Sequence, residues 1–145
     1  MDAETLRAYL LTLPDVAETM QWGDNLVYWV GDKAIGGKMF VLSSLSPDHG
    51  AVISFAAGPE RFAELVEQEG LFPAPYLARA HWVAVERWDT LNVRELKELL
   101  AHARELVFAK LPARTKAVLA MGPAEKKNVI AARRKALAVK GKSRG

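Results

Sequence analysis

Apolar positions along this chain change period several times, and each change marks an element. Leu6, Tyr9, Leu10 and Leu13 recur at helical spacing behind Asp2, which can cap the first turn, and Pro14 stops the pattern. Two short runs rich in aromatic and β-branched residues follow over 26–30 and 39–45. They are separated by Gly31-Asp32-Lys33 and Gly36-Gly37, and they predict a hairpin whose second arm is kinked or bulged. A turn at Ser46-Pro47-Asp48-His49-Gly50 leads into a third strand over 51–57, so that three strands in sequence form a meander. Pro59 then stands at a first helical position, Phe62, Leu65 and Val66 space out a short second helix, and Gly70 ends it.

After a loop over 73–75, alternation over 81–87 predicts a fourth strand. Asn92 caps the longest helix, in which Leu96, Leu99, Leu100, Ala103, Leu106 and Val107 make one apolar stripe before Pro112. That helix is expected to cover the sheet. Pro123 starts a last helix running toward Val139 with a modest apolar edge of Val129, Ile130 and Leu137, and the final residues, 140–145, are expected to fray. Helices gathered separately from strands define an α+β fold, a mainly antiparallel sheet of at least four strands packed by helices.

Composition narrows the functional classes. The chain has 145 residues and no Cys, which excludes disulfides, thiolate nucleophiles and Cys-ligated metals. Asp2 and Glu4 stand where a secretory signal needs positive charge, and no apolar run approaches the roughly 18 residues of a membrane span, so a cytoplasmic protein without a membrane partner is expected. Charge is the most informative property. Residues 110–145 carry 11 Lys and Arg against Glu125 alone, whereas residues 1–109 carry 9 against 16 acids. A body of net charge −7 thus bears a tail of +10, an asymmetry typical of chains with a polyanionic partner.

Candidate chemistry elsewhere is sparse. Gly36-Gly37-Lys38 invites comparison with a phosphate loop, but Asp32 replaces the first glycine, Met39 replaces the magnesium-binding Ser or Thr, and the segment opens a strand rather than a helix. A strand bulge or hairpin corner explains it better, with Lys38 projecting as a basic contact. Glu95, Glu98, His102 and Glu105 share one helical face. One face cannot enclose a metal ion and no second copy of the pattern exists, so no metal and no cofactor are expected. His81, beside Trp82 and close to Arg79, is the best-placed histidine for acid–base work or for a small-ligand site. No nucleophile elbow or triad order accompanies it, so the chain is not read as an enzyme. Trp29 and Phe40 alternate with strand positions as core residues do, while Trp22 and Trp88 lie near loops.

Several stretches, in this order and spacing, resemble the MmcQ/YjbR family of small bacterial proteins. They are the helix ending in Leu13-Pro14, Trp22-Gly23, Gly36-Gly37-Lys38-Met39-Phe40, Pro59-Glu60, Pro75-Tyr76, Arg79 with His81-Trp82, and Lys110-Leu111-Pro112. The resemblance covers roughly residues 3–112. It implies a compact α+β fold similar to frataxin and CyaY, and members of the family are often called DNA-binding from the shape of that fold. Extra residues between Val30 and Gly36, and the basic segment after Pro112, depart from the family pattern. The expected organisation is therefore a family domain over 1–112 and a basic helical extension over 113–145.

The tail is read from its own residues. Lys126, Lys127, Arg133, Arg134, Lys135, Lys140, Lys142 and Arg144 give the density of cations that attracts phosphate without regard to base sequence. The leading expectation is weak, non-specific binding of DNA or RNA through this segment, with Arg79 and Lys38 as added contacts. The alternative is a protein-interaction or regulatory module in which the basic tail meets the acidic body of its own or a neighbouring chain. An orientation in which the tail joins Arg79 or Lys38 in one positive face favours the first; contact of its charges with the body's carboxylates favours the second.

Overall fold

The computed structural model of the protein describes residues 1–21, 23–45 and 50–144, without the side chains of 141–144. Trp22, most of the expected turn at 46–50 including His49, and the side chains of Lys142 and Arg144 lie outside the described residues.

Helix α1 (Ala3–Leu10) begins where Asp2 accepts a hydrogen bond from the Thr5 N–H at 2.7 Å. The chain then reverses at Asp15, whose φ of 61° is unusual for a residue other than glycine. Strands β1 (Val16–Gln21) and β2 (Asn25–Val30) follow, then a 3-10 turn at Lys33–Ile35, β3 (Lys38–Ser44), β4 (Ile53–Ala56), α2 (Pro59–Leu65) and β5 (Leu71–Pro73). A second 3-10 turn at Ala78–Ala80 leads to β6 (Trp82–Val85), α3 (Val93–Ala109), α4 (Ala113–Leu119) and α5 (Pro123–Arg144). The strands form one antiparallel sheet in the order β1-β2-β3-β4-β6-β5. The expected meander is β2-β3-β4, and the register of its first pair slips between Tyr28 and Trp29, leaving the bulge in the second arm at Phe40.

Both strands absent from the sequence reading are edges. β1 mixes Ala, Glu and Gln with Val, Thr and Met, so its apolar alternation is weak, and it pairs on one side only. β5 is three residues long and ends in Pro73, whose missing N–H an edge tolerates. α5 continues through Arg144, beyond the expected end near Val139.

Alternation gives the sheet two faces. The row Tyr28, Val41, Phe55 and Val83 runs in register across four strands, and all four side chains are fully buried beneath α1 and α3. α3 packs on β2, β3 and β4 with Leu96, Leu99, Leu100, Ala103 and Val107 buried and Leu106 half-buried. The Tyr28 hydroxyl is buried beside the Glu18 carboxylate on the neighbouring strand; burial, and then hydrogen bonding to and the charge of Glu18, push its ionisation far above the ordinary phenol range. One charged residue interrupts the apolar stripe. Arg104 is buried, donates from Nε to the Pro14 carbonyl at 3.0 Å, and lies over the Phe108 ring. α4 is held by Thr115, fully buried, whose hydroxyl donates to the Ile35 carbonyl at 2.7 Å.

Candidate nucleic-acid interface

Twenty-two residues make α5 about 33 Å long. Its first turns pack on the body, over the Lys33–Ile35 turn and α4; Lys126, Val129 and Ile130 are partly buried there, and residues 131–140 are exposed, with Arg134 reaching back to the body through its side chain. Two cations hold the helix down. Lys126 Nζ donates to Asp15 Oδ1 at 2.8 Å, and Asp15 also faces Arg104 at 3.8 Å. Two turns farther along, Arg134 pairs with Asp32, which raises the guanidinium pKa still further above its usual value. Asp32 is fixed in turn, because its Oδ1 accepts from the Ala34 N–H at 2.9 Å and caps the 3-10 turn. A cleft of about 510 Å³ runs between α5 and these loops, with Val16, Ala17, Leu119 and Ile130 as its apolar floor.

The basic tail is thus divided. Lys126 and Arg134 meet the body's carboxylates, whereas Lys127, Arg133 and Lys135 make no ion pair among the described residues; Lys140 is exposed but engaged in an interaction of its own. The two outlying cations fall elsewhere. Lys38 opens β3 and reaches the Lys110 carbonyl at the end of α3 at 3.4 Å. Arg79 is exposed on the second 3-10 turn, beside β6, toward the opposite side of the sheet from α5. Of the two arrangements weighed from the sequence, contact of tail cations with the body's carboxylates is present at Lys126 and Arg134.

His81 holds a left-handed backbone (φ 62°) and sets its ring edge-on to Phe62 at 5.4 Å, which places it in packing rather than in a cleft. The acidic stripe of α3 is engaged with arginines: Glu98 with Arg94 at 3.5 Å and Glu105 with Arg104 at 2.8 Å. His102 is half-buried and its Nδ1 has no partner among the described residues; burial, and then the charge of Arg61, lower its pKa below the usual value. A lowered folded-state pKa means the unfolded chain takes up the proton first, so stability present above about pH 6.5 is lost as pH falls toward the folded pKa. We expect denaturant unfolding at pH 7.5 and 5.5 to show a smaller acid-side loss for His102→Gln than for the parent; an equal loss would remove His102 as a source.

The sequence reading missed a groove on the sheet face opposite α3. Leu42 and Ser54, paired across β3 and β4, form its floor with Met39, and Pro75, Tyr76 and Leu77 form one wall; its volume is about 640 Å³. Tyr76 is fully exposed and has a φ of 65°. The signal in the sequence was the Pro75-Tyr76 pair, taken there only as part of a family pattern.

An antiparallel six-stranded sheet with helices gathered on one face, extended by a basic helix, defines the class as a small α+β protein. A family model described as YjbR matches residues 11–106, and the chain belongs to that family. It is similar to the crystal structure of Deinococcus radiodurans protein DR2400, which carries a DUF419 domain: identity is 27%, the match covers 83% of this chain and 89% of that one, and the TM-score is 0.71. None of the curated proteins compared matches the chain. Among the described residues no helix is long and apolar enough to cross a membrane, and no group of three or more His, Cys, Asp and Glu is placed to hold a metal ion.

Proposed function

We propose that the protein binds nucleic acid weakly and without base specificity through the exposed cations of α5. The observation that carries this reading is the run of exposed positions over 131–140 on a helix whose packing against the body is confined to its first turns, with the Arg134–Asp32 pair beyond them. A helix polar on all sides gains little from packing, so its lasting asset is a field of positive charge standing clear of an acidic body. Lys126 and Arg134 serve as anchors, and Lys127, Arg133 and Lys135 supply the outward charge. The same two anchors support the second reading, a tail that associates with acidic protein surface, since they already do so within the chain.

Salt titration separates the two. Full-length protein should bind a duplex oligonucleotide in the micromolar to sub-millimolar range, with affinity falling by a log–log slope of about 0.9 per phosphate contact. Replacing Lys127, Arg133 and Lys135 together by Gln should lower the slope by about 2.7 units. Removing residues 123–145 leaves 12 basic against 16 acidic residues and should abolish binding. Equal binding by the shortened chain would refute the α5 reading. No binding by the intact chain at low salt would leave the protein-interaction reading in its place.

A further inference from the structure

The groove on the open face of the sheet combines three features that neither the family assignment nor the basic helix explains. Among the described residues its lining contains no charged side chain and is mainly apolar, with the Ser54 hydroxyl on the floor able to donate and accept. Tyr76 stands at its edge fully exposed, in a left-handed backbone conformation that L-residues adopt only at a cost. An aromatic ring held in water by strained backbone is unfavourable twice over, and both penalties point to a partner for the ring. Third, the wall formed by Pro75, Tyr76 and Leu77 runs directly into the 3-10 turn that carries Arg79, an exposed guanidinium beside an otherwise uncharged cleft.

Flat ring, neutral cleft and neighbouring cation match the parts of one unpaired nucleotide. A base is uncharged, planar and edged with donors and acceptors, and its phosphate carries the negative charge outside the ring plane. A fatty acid would lay a flexible chain rather than a flat ring against Tyr76, and duplex DNA presents no free base face. We propose that the groove receives an unpaired nucleobase stacked on Tyr76, with the adjoining phosphate at Arg79. This rests on the nucleic-acid reading of α5 and extends it: α5 supplies charge that any nucleic acid satisfies, and the groove adds a preference for single strands.

The test uses full-length protein labelled at its methionine methyl groups, with three probes: a single-stranded oligonucleotide, the duplex of the same sequence, and adenosine at millimolar concentration. The single strand and adenosine should each shift the Met39 methyl resonance, while those of Met20 and Met121, outside the groove, stay in place. Tyr76→Ala should weaken single-strand binding by about five- to a hundredfold, leaving the duplex unaffected, and Tyr76→Phe should restore it. Arg79→Gln should lower the single-strand salt slope by about 0.7. If Tyr76→Ala leaves the single-strand to duplex ratio unchanged and Met39 is unmoved by adenosine while the oligonucleotides still bind, the groove proposal is overturned and the α5 reading stands. If Met39 responds to adenosine and to the single strand but the duplex does not bind, the groove proposal stands and the α5 reading fails. Silence from all three probes overturns both.

Discussion

Replacing Gly37 by alanine is expected to destabilise the protein by about 3–5 kcal/mol, the largest effect of any single methyl group we foresee. A Cβ at this position would lie 1.8 Å from the Gly31 carbonyl oxygen, 2.4 Å from its carbon and 2.8 Å from the Asp32 oxygen. All three are backbone atoms, so no side-chain rotation relieves the clash. The two chain segments cross here because the Gly37 N–H donates to the Asp32 carbonyl at 3.0 Å, and the methyl must force that crossing apart. Asp32 would move with it, and with Asp32 the anchor for Arg134. Thermal unfolding should show a midpoint lowered by roughly 6–20 °C, taking about 2–4 °C per kcal/mol for a chain of this size. Gly23→Ala is the control: no atom of the described residues lies within 4 Å of the added carbon, and the left-handed φ of 77° opposes it, for about 1 kcal/mol. A Gly37→Ala variant as stable as the control would show that the crossing is free to open.

Arg104→Ala should cost about 2–4 kcal/mol and lower the midpoint by about 4–16 °C. The guanidinium is buried between α3 and the turn after α1, where it satisfies the Pro14 carbonyl, faces Asp15 and covers the Phe108 ring. Its removal leaves a carbonyl without its donor and a cavity over an aromatic ring. Breaking a buried pair costs about 3–5 kcal/mol, and the lower figure adopted here reflects Lys126, which still neutralises Asp15. Arg104→Lys keeps the charge but not the planar fork, so it should recover only part of the loss. A loss below 1 kcal/mol in Arg104→Ala would mean that the α1–β1 turn holds its shape without the arginine.

The elements legible from the sequence were those whose period repeats long enough to be counted. α3 shows six apolar positions in one stripe, and β2, β3 and β4 carry aromatic and β-branched runs bounded by glycines. Elements with weak or short patterns escaped. β1 owes its strand state to pairing with β2 and to the turn at Asp15, and α4 is seven residues whose buried Thr115 reads as polar until its Ile35 partner is seen. Arg104 escaped for the same reason: a cation inside an apolar stripe looks like a boundary, and only the folded chain supplies Pro14 and Asp15. The sequence presents the cations of α5 as one group, and their division into Lys126 and Arg134 against Lys127, Arg133 and Lys135 depends on where Asp15 and Asp32 sit in space. The groove could not be read at all, since its floor and wall come from strands and a loop more than twenty residues apart.

The same long-range contacts bear on how the chain is made. Tyr9 donates to the Lys97 carbonyl, Arg104 to that of Pro14, and Lys126 pairs with Asp15, so the first helix and the turn after it close only against residues 88, 90 and 111 positions later. At about 5–20 residues per second, the N-terminal segment spends on the order of 5–20 s on the ribosome before those partners emerge. During that interval Leu6 and Leu10, fully buried in the finished protein, have no helix α3 to cover them. Closure of α1 and the turn after it therefore waits for α3 and the start of α5, and a ribosome stalled before α3 would display the apolar side of α1, Leu6 and Leu10, to whatever chaperone stands at the exit.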